Sequence, residues 1–181
     1  MIEEDLFELL DSVLKPLGAT IEDGDESRSP PLEVLRYYVR PVRLSAVPIV
    51  GRGLSVVAVA RQPIDVAMGR EGYRALVERL AGVVNTRFPP IRAGRGLTLG
   101  LSAVIATPEP IAAGDEAVLG LVLDPVPRNR VVPLGVLRLN LGQEALAIAM
   151  RRGPDGLFPE GEAMADALSL RLRRFLPLLE M

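Results

Sequence analysis

The sequence predicts an α+β fold: a mostly antiparallel sheet of five to six strands, with an amphipathic helix at each end of the chain and one in the middle. Three observations lead there. Apolar residues recur at helical spacing near both termini and around residue 80. β-Branched residues crowd the tract from Val34 to Pro63, and the later strand-type runs follow one another with no helical run between them. The resulting order, α-β-β-α-β-β-β-(β)-α, suits a two-layer sandwich with helices mainly on one face of the sheet. At 181 residues the chain reads as a single α+β domain, 1–181, large enough to bury a core without metal or disulfide.

The first helix carries Ile2, Leu6, Leu9, Leu10, Val13 and Leu14 on one side and Glu3, Glu4, Asp5, Glu8 and Asp11 on the other. Acids at its start and Lys15 at its end complement the helix dipole, and Pro16 and Gly18 stop it. The next stretch, EDGDESRSPP over residues 22–31, has no apolar anchor and predicts a mobile acidic loop. Its carboxylates lack the spacing of a calcium-binding loop.

The tract from Val34 to Pro63 reads as two strands. Arg36, Tyr38 and Arg40 share one face of the first, while Leu35, Tyr37 and Val39 share the other. Pro41 predicts an edge strand or a bulge that re-aims Arg43. Gly51-Arg52-Gly53 predicts a tight turn between the strands. In the second arm Leu54, Val56, Ala58 and Ala60 alternate with Ser55, Val57, Val59 and Arg61, so neither face is polar and the strand is expected to be covered on both sides.

A second helix follows, with Tyr73, Leu76, Val77, Leu80, Val83 and Val84 inward, and it ends before Pro89 and Pro90. Gly94-Arg95-Gly96 then echoes Gly51-Arg52-Gly53, either as an old duplication or as coincidence in a chain rich in glycine and arginine. Strands are predicted from Ala117 to Leu123 and from Val131 to Leu141, the latter with Arg138 and Asn140 on a wet face. Residues 143–152 fit a capped helix or a return strand; the strand is favoured because it completes the sheet. The last helix uses Met164, Ala167, Leu168, Leu172, Phe175, Leu176 and Leu179, with Glu160, Glu162 and Asp166 early and Arg171, Arg173 and Arg174 late. This order of elements resembles profilin-like and Roadblock-type domains and, more loosely, secretion chaperones. A likeness of element order implies nothing about function.

Cysteine and histidine are both absent, which excludes thiolate nucleophiles, His-based triads and Cys/His zinc sites within the chain. No metal, cofactor or catalytic residue is expected. A net charge of -2 gives no global field for nucleic acid, although Arg36, Tyr38, Arg40 and Arg43 form one basic strand with an interleaved aromatic. The longest apolar run, Leu97 to Ala106, is too short to span a bilayer. The acidic start, MIEEDLFELL, lacks the charge of a signal peptide and predicts a cytoplasmic location. Apolar residues make up 49% of the chain, enough to predict an interface with another protein or a second copy.

Two functions compete. The first is a non-enzymatic interaction, adaptor or chaperone-like module, acting as a homodimer or bound to a partner polypeptide, with Arg36, Tyr38, Arg40 and Arg43 as the contact patch. On this reading Arg36→Ala and Arg40→Ala weaken association and leave stability nearly untouched. The alternative is an anion- or small-ligand-binding domain built on Gly51, Arg52, Gly53, Gly94, Arg95 and Gly96, with Asp65, Asp115, Glu116 or Asp124 as acid or base.

Overall fold

The computed structural model describes residues 1–28, 31–46, 49–63, 69–89, 98–123, 130–151 and 158–174. Along the chain lie α1 (Glu3–Leu14), β1 (Thr20–Asp23), β2 (Glu26–Arg28), β3 (Pro31–Ala46), β4 (Ile49–Arg61), α2 (Arg70–Arg87) and β5 (Thr98–Ala106). Then come α3 (Asp115–Gly120), β6 (Val131–Asn140), β7 (Ala145–Met150), α4 (Glu160–Ser169) and β8 (Arg173–Arg174). The class is α+β, as the sequence predicts. Six strands of four residues or more build the sheet, and β2 and β8 are short additions.

The sheet is mixed: four of its described strand pairings are antiparallel and three are parallel. Its order is β1-β3-β4-β5-β6-β7-β8, with β2 also paired to β3. β1, β2 and β4 run antiparallel to β3, and β7 runs antiparallel to β6. The centre differs, because β4, β5 and β6 are mutually parallel. Parallel neighbours need a crossover, supplied here by α2 and α3. The expected strand from Ala117 to Leu123 is therefore a helix and turn. A short apolar run does not reveal its own period, and at its start the Asp115 carboxylate accepts the Ala112 N–H at 3.0 Å. The predicted run of consecutive strands after the middle helix is broken by α3, and with it the likeness in element order.

Helices cover both faces, which corrects the two-layer expectation. On one face Val56, Ala58 and Ala60 of β4 join Leu101, Ala103 and Ile105 of β5 under Tyr73, Leu76, Leu80 and Val84 of α2 and Leu119 of α3. On the other, Val57 and Val59 meet Val104, Leu137 and Leu139 under Leu6, Leu10 and Leu14 of α1 and Met164 and Leu168 of α4. The apolar pattern on both sides of β4 has this cause: each face lies against a different pair of helices.

Smaller differences follow from local partners. Glu22 and Asp23 sit in β1 and Glu26–Arg28 form β2, where the sequence predicts a loop. Arg87 at the end of α2 anchors this acidic segment, with Nη1 at 2.6 Å from Asp25 and Nη2 at 3.2 Å from Glu22. Gly24 lies so close to β3 that a Cβ there would stand 1.8 Å from the Val34 carbonyl oxygen, so no other residue fits. Arg130 closes the same carboxyl end of α2 by donating to the Asn85 and Phe88 carbonyls at 3.1 and 2.6 Å. Residues Ala145–Met150 form the return strand. The last helix is shorter than its apolar stripe suggests, and Arg173 and Arg174 pair with β7 instead of extending it. Phe175, Leu176 and Leu179 lie outside the described residues.

Tyr37, Tyr38 and Tyr73, the chain's three tyrosines, are all buried. Burial raises each hydroxyl's pKa, helped by Asp25 at Tyr37 and by Asp11 at Tyr38. Tyr73 is pushed up to about 12 by burial, with Arg138 opposing. Raised values mean that the fold disfavours the phenolate. The associated stability is complete below the ordinary value of 10.0 and is lost as pH rises through the folded-state values. Alkaline titration is expected to show no phenolate absorbance step near pH 10.0 in the native protein, all three ionising together with unfolding. A normal step from any one of them would contradict its burial.

Candidate functional site

The sheet treats its edges unequally. β1 is short, mostly exposed and acidic, which suits a strand that must not recruit neighbours. On the opposite side, β7 is shielded by β8 and by Glu116 of α3, whose carboxylate accepts the Ile148 N–H at 3.2 Å. β3 is different. β1 pairs with it only from Arg36 to Val39, and β2 only from Pro31 to Glu33. From Arg40 to Ala46 its outer side meets no strand among the described residues. On the far side of β4, the described part of β5 pairs from Gly53 onward. Arg43–Ala46 and Ile49–Arg52 pair with each other in register Arg43↔Arg52, Leu44↔Gly51, Ser45↔Val50 and Ala46↔Ile49. Exposed Pro41 stands just past the point where β1 stops, a position where a missing N–H is tolerated.

The predicted contact patch divides at this point. Arg36, Tyr38 and Arg40 do share a face, but α1 and α4 cover it. Tyr38 is 1% exposed and donates its hydroxyl to Asp11 at 2.7 Å. Arg36 reaches the same carboxylate at 3.2 Å and stacks 4.0 Å from the centre of the Phe7 ring. Burial pushes the Asp11 pKa up, and the hydrogen bonds from Lys15 and Tyr38 outweigh it and leave the value lowered. Arg40 pairs with Glu160, the first residue of α4, which is 2% exposed. These three residues fasten helices to the sheet. Arg43 alone faces solvent.

Gly51-Arg52-Gly53 is not a turn. All three residues lie within β4, and the reversal falls between Ala46 and Ile49. The β-branched neighbours Ile49, Val50 and Val56 favour extended backbone throughout. Register nevertheless brings Arg52 opposite Arg43, joining residues that the sequence assigns to two different sites. Gly94, Arg95 and Gly96, with Asp65 and Asp124, lie outside the described residues.

Sequence reasoning missed a polar network at the carboxyl ends of β4, β5 and β6. Arg138 and Asn140, predicted on a wet face, are 0% and 7% exposed, because α2, α3 and residues 107–111 cover them. Arg138 donates to Asp115 at 2.6 Å and more distantly to Thr107 and Glu109, and its guanidinium lies 5.4 Å from the centre of the Tyr73 ring. Gln62 holds the Glu109 carboxylate at 3.0 Å. Asn140 donates to the Pro108 and Glu109 carbonyls and accepts the Gln143 N–H, while Gln143 accepts the Ile111 N–H. The Arg138 Nε and the Tyr73 hydroxyl are buried without a hydrogen-bond partner. These bonds lash the connection after β5 to β6, and the alternation of residues 137–141 contains no sign of them.

Among the described residues no cluster of acidic side chains is arranged to hold a metal ion, and no helix is long and apolar enough to cross a membrane. Comparison with known proteins finds no matching family model, no matching curated protein and no matching solved structure.

Proposed function

We propose that the chain is a non-enzymatic interaction module that takes an extended polypeptide segment onto the outer edge of β3. The outer side of β3 supports this reading: from Pro41 to Ala46 it pairs with no strand among the described residues, in a sheet whose other edges are short, charged or capped. Such an edge presents main-chain donors and acceptors to an added strand, which supplies affinity, while exposed side chains beside it supply selectivity. Tyr38 and Arg40 are committed to the protein's own interior, so contact on this reading shifts from the predicted four-residue patch to the part of β3 that begins at Pro41.

Native mass spectrometry combined with amide exchange tests it on protein isolated from its own cells. A complex is expected in which exchange at residues 40–46 slows relative to the isolated chain. A chain that stays monomeric, or a complex in which those amides exchange as before, would rule the edge out.

A further inference from the structure

We infer that the amine of Lys15 is a removable latch: acylating it loosens the carboxyl end of α1 and, with it, the hold of β1 on β3. Lys15 is the chain's one lysine among 21 basic residues, and the rest are arginines. The distinction matters because an amine can be acylated and lose its charge, whereas a guanidinium keeps its charge throughout. The Lys15 side chain is 56% exposed. The other amine, at Met1, is 10% exposed and is held by the Leu141 carbonyl and by Glu144 at 3.0 Å. An acylating reagent therefore meets Lys15 first.

The latch lies where α1 hands the chain to β1. No basic residue occupies the last turn of α1, so Lys15 at its C-cap is the cation that complements the helix dipole there. Its Nζ donates to Asp11 Oδ2 at 2.9 Å, while Asp11 Oδ1 accepts the Tyr38 hydroxyl at 2.7 Å and Arg36 Nη1 at 3.2 Å. One carboxylate thus joins α1 to β3, at the two β3 residues that pair with β1 in register Tyr38↔Ile21 and Arg36↔Asp23. The connector is tight. The Gly18 N–H donates to the Lys15 carbonyl at 2.9 Å and the Ala19 N–H to the Leu14 carbonyl at 3.1 Å, and β1 begins at Thr20. Arg87 fastens the far end of β1 through Glu22. Its near end depends on the turn that Lys15 enters.

Acetylation forms an amide bond between Nζ and the acyl carbon, breaks the bond to the leaving group and passes a proton to solvent. The neutral product loses both the ion pair with Asp11 and the dipole complement. These are small terms, so the expected change is an increase of about fivefold in local opening, with the core intact. On the edge-pairing reading above, a loosened β1 uncovers Arg36 to Val39 and lengthens the edge that begins at Pro41. The latch is tested without a partner, so its failure leaves edge pairing standing.

The full chain is treated with a limiting amount of the N-hydroxysuccinimide ester of acetate, the acetyl group is located by mass spectrometry, and amide exchange is followed. The first acetyl group is expected on Lys15. Exchange at residues 12–21 is expected to accelerate about fivefold, with β4 and β5 unchanged. Lys15→Gln should reproduce the acceleration, and Lys15→Arg, which keeps the charge, should exchange like the parent. An acetylated chain with parental exchange at residues 12–21 overturns the latch. If Lys15→Arg exchanges as fast as Lys15→Gln, the lysine's shape matters and its charge does not, which overturns the mechanism. Acetylation of Met1 ahead of Lys15 overturns the assignment of Lys15 as the accessible amine.

Discussion

Arg138→Ala is expected to cost about 3–5 kcal/mol, the penalty for removing one partner of a buried charge pair. Arg138 is wholly buried and Asp115 is 13% exposed, so the variant leaves a carboxylate in the protein interior with its closest countercharge gone. The Glu109 contact adds little, because it is longer, at 3.5 Å, and its carboxylate is 37% exposed. Loss of the stacking on Tyr73 contributes about a further 0.5–2 kcal/mol. Urea denaturation at neutral pH measures the total. Arg138→Met combined with Asp115→Asn should recover much of the loss, since it removes both charges and keeps the volume. If Arg138→Ala melts within about 1 kcal/mol of the parent, the network is solvated and not the clamp described above.

Arg40→Ala is expected to cost about 3 kcal/mol, at the low end of the same range because Arg40 is 19% exposed and water can enter beside it. The residue left behind is Glu160, 2% exposed, with Oε2 already lacking a hydrogen-bond partner. Its place in the first turn of α4 offers partial relief, because the helix dipole favours a carboxylate there. The loss should be regional: amide exchange across residues 160–168 should accelerate before that in β4 or β5. Adding Glu160→Gln should restore part of the stability by removing the stranded charge. This reverses the expectation, drawn from strand alternation alone, that Arg40→Ala leaves stability nearly unchanged. An Arg40→Ala protein with normal stability and normal exchange in α4 would return Arg40 to the surface patch.

The candidate site was legible in composition and hidden in geometry. Arg36, Tyr38 and Arg40 are correctly placed on one face by a period of two, yet the period does not say what lies over that face. The long ion pairs that answer it join residues far apart in sequence: Asp11 to Arg36, Glu160 to Arg40, Asp115 to Arg138. Gly51-Arg52-Gly53 misleads for a related reason. Glycine permits a turn without requiring one, and the register with Arg43–Ala46 keeps the segment extended. Only that register reveals that Arg43 and Arg52 stand opposite each other.

By itself the sequence determined the elements whose signal is local and strong. Both long helices follow from their 3.6-residue apolar stripes and from the residues that stop them, and Leu6, Leu10 and Leu14 of α1 and Tyr73, Leu76 and Leu80 of α2 are buried as those stripes require. The double-sided apolar pattern of β4 already required cover on both faces. It also determined which chemistries histidine and cysteine cannot supply. The tertiary structure alone decided that β4, β5 and β6 run parallel, that α3 replaces a strand, that Arg138 is buried and that β1 pairs with β3 only as far as Val39. The physical reason is common to all four. Strand direction, the cover over a face and the partner of a charge are pairings across the chain, and a segment's own periodicity carries no information about what it will meet.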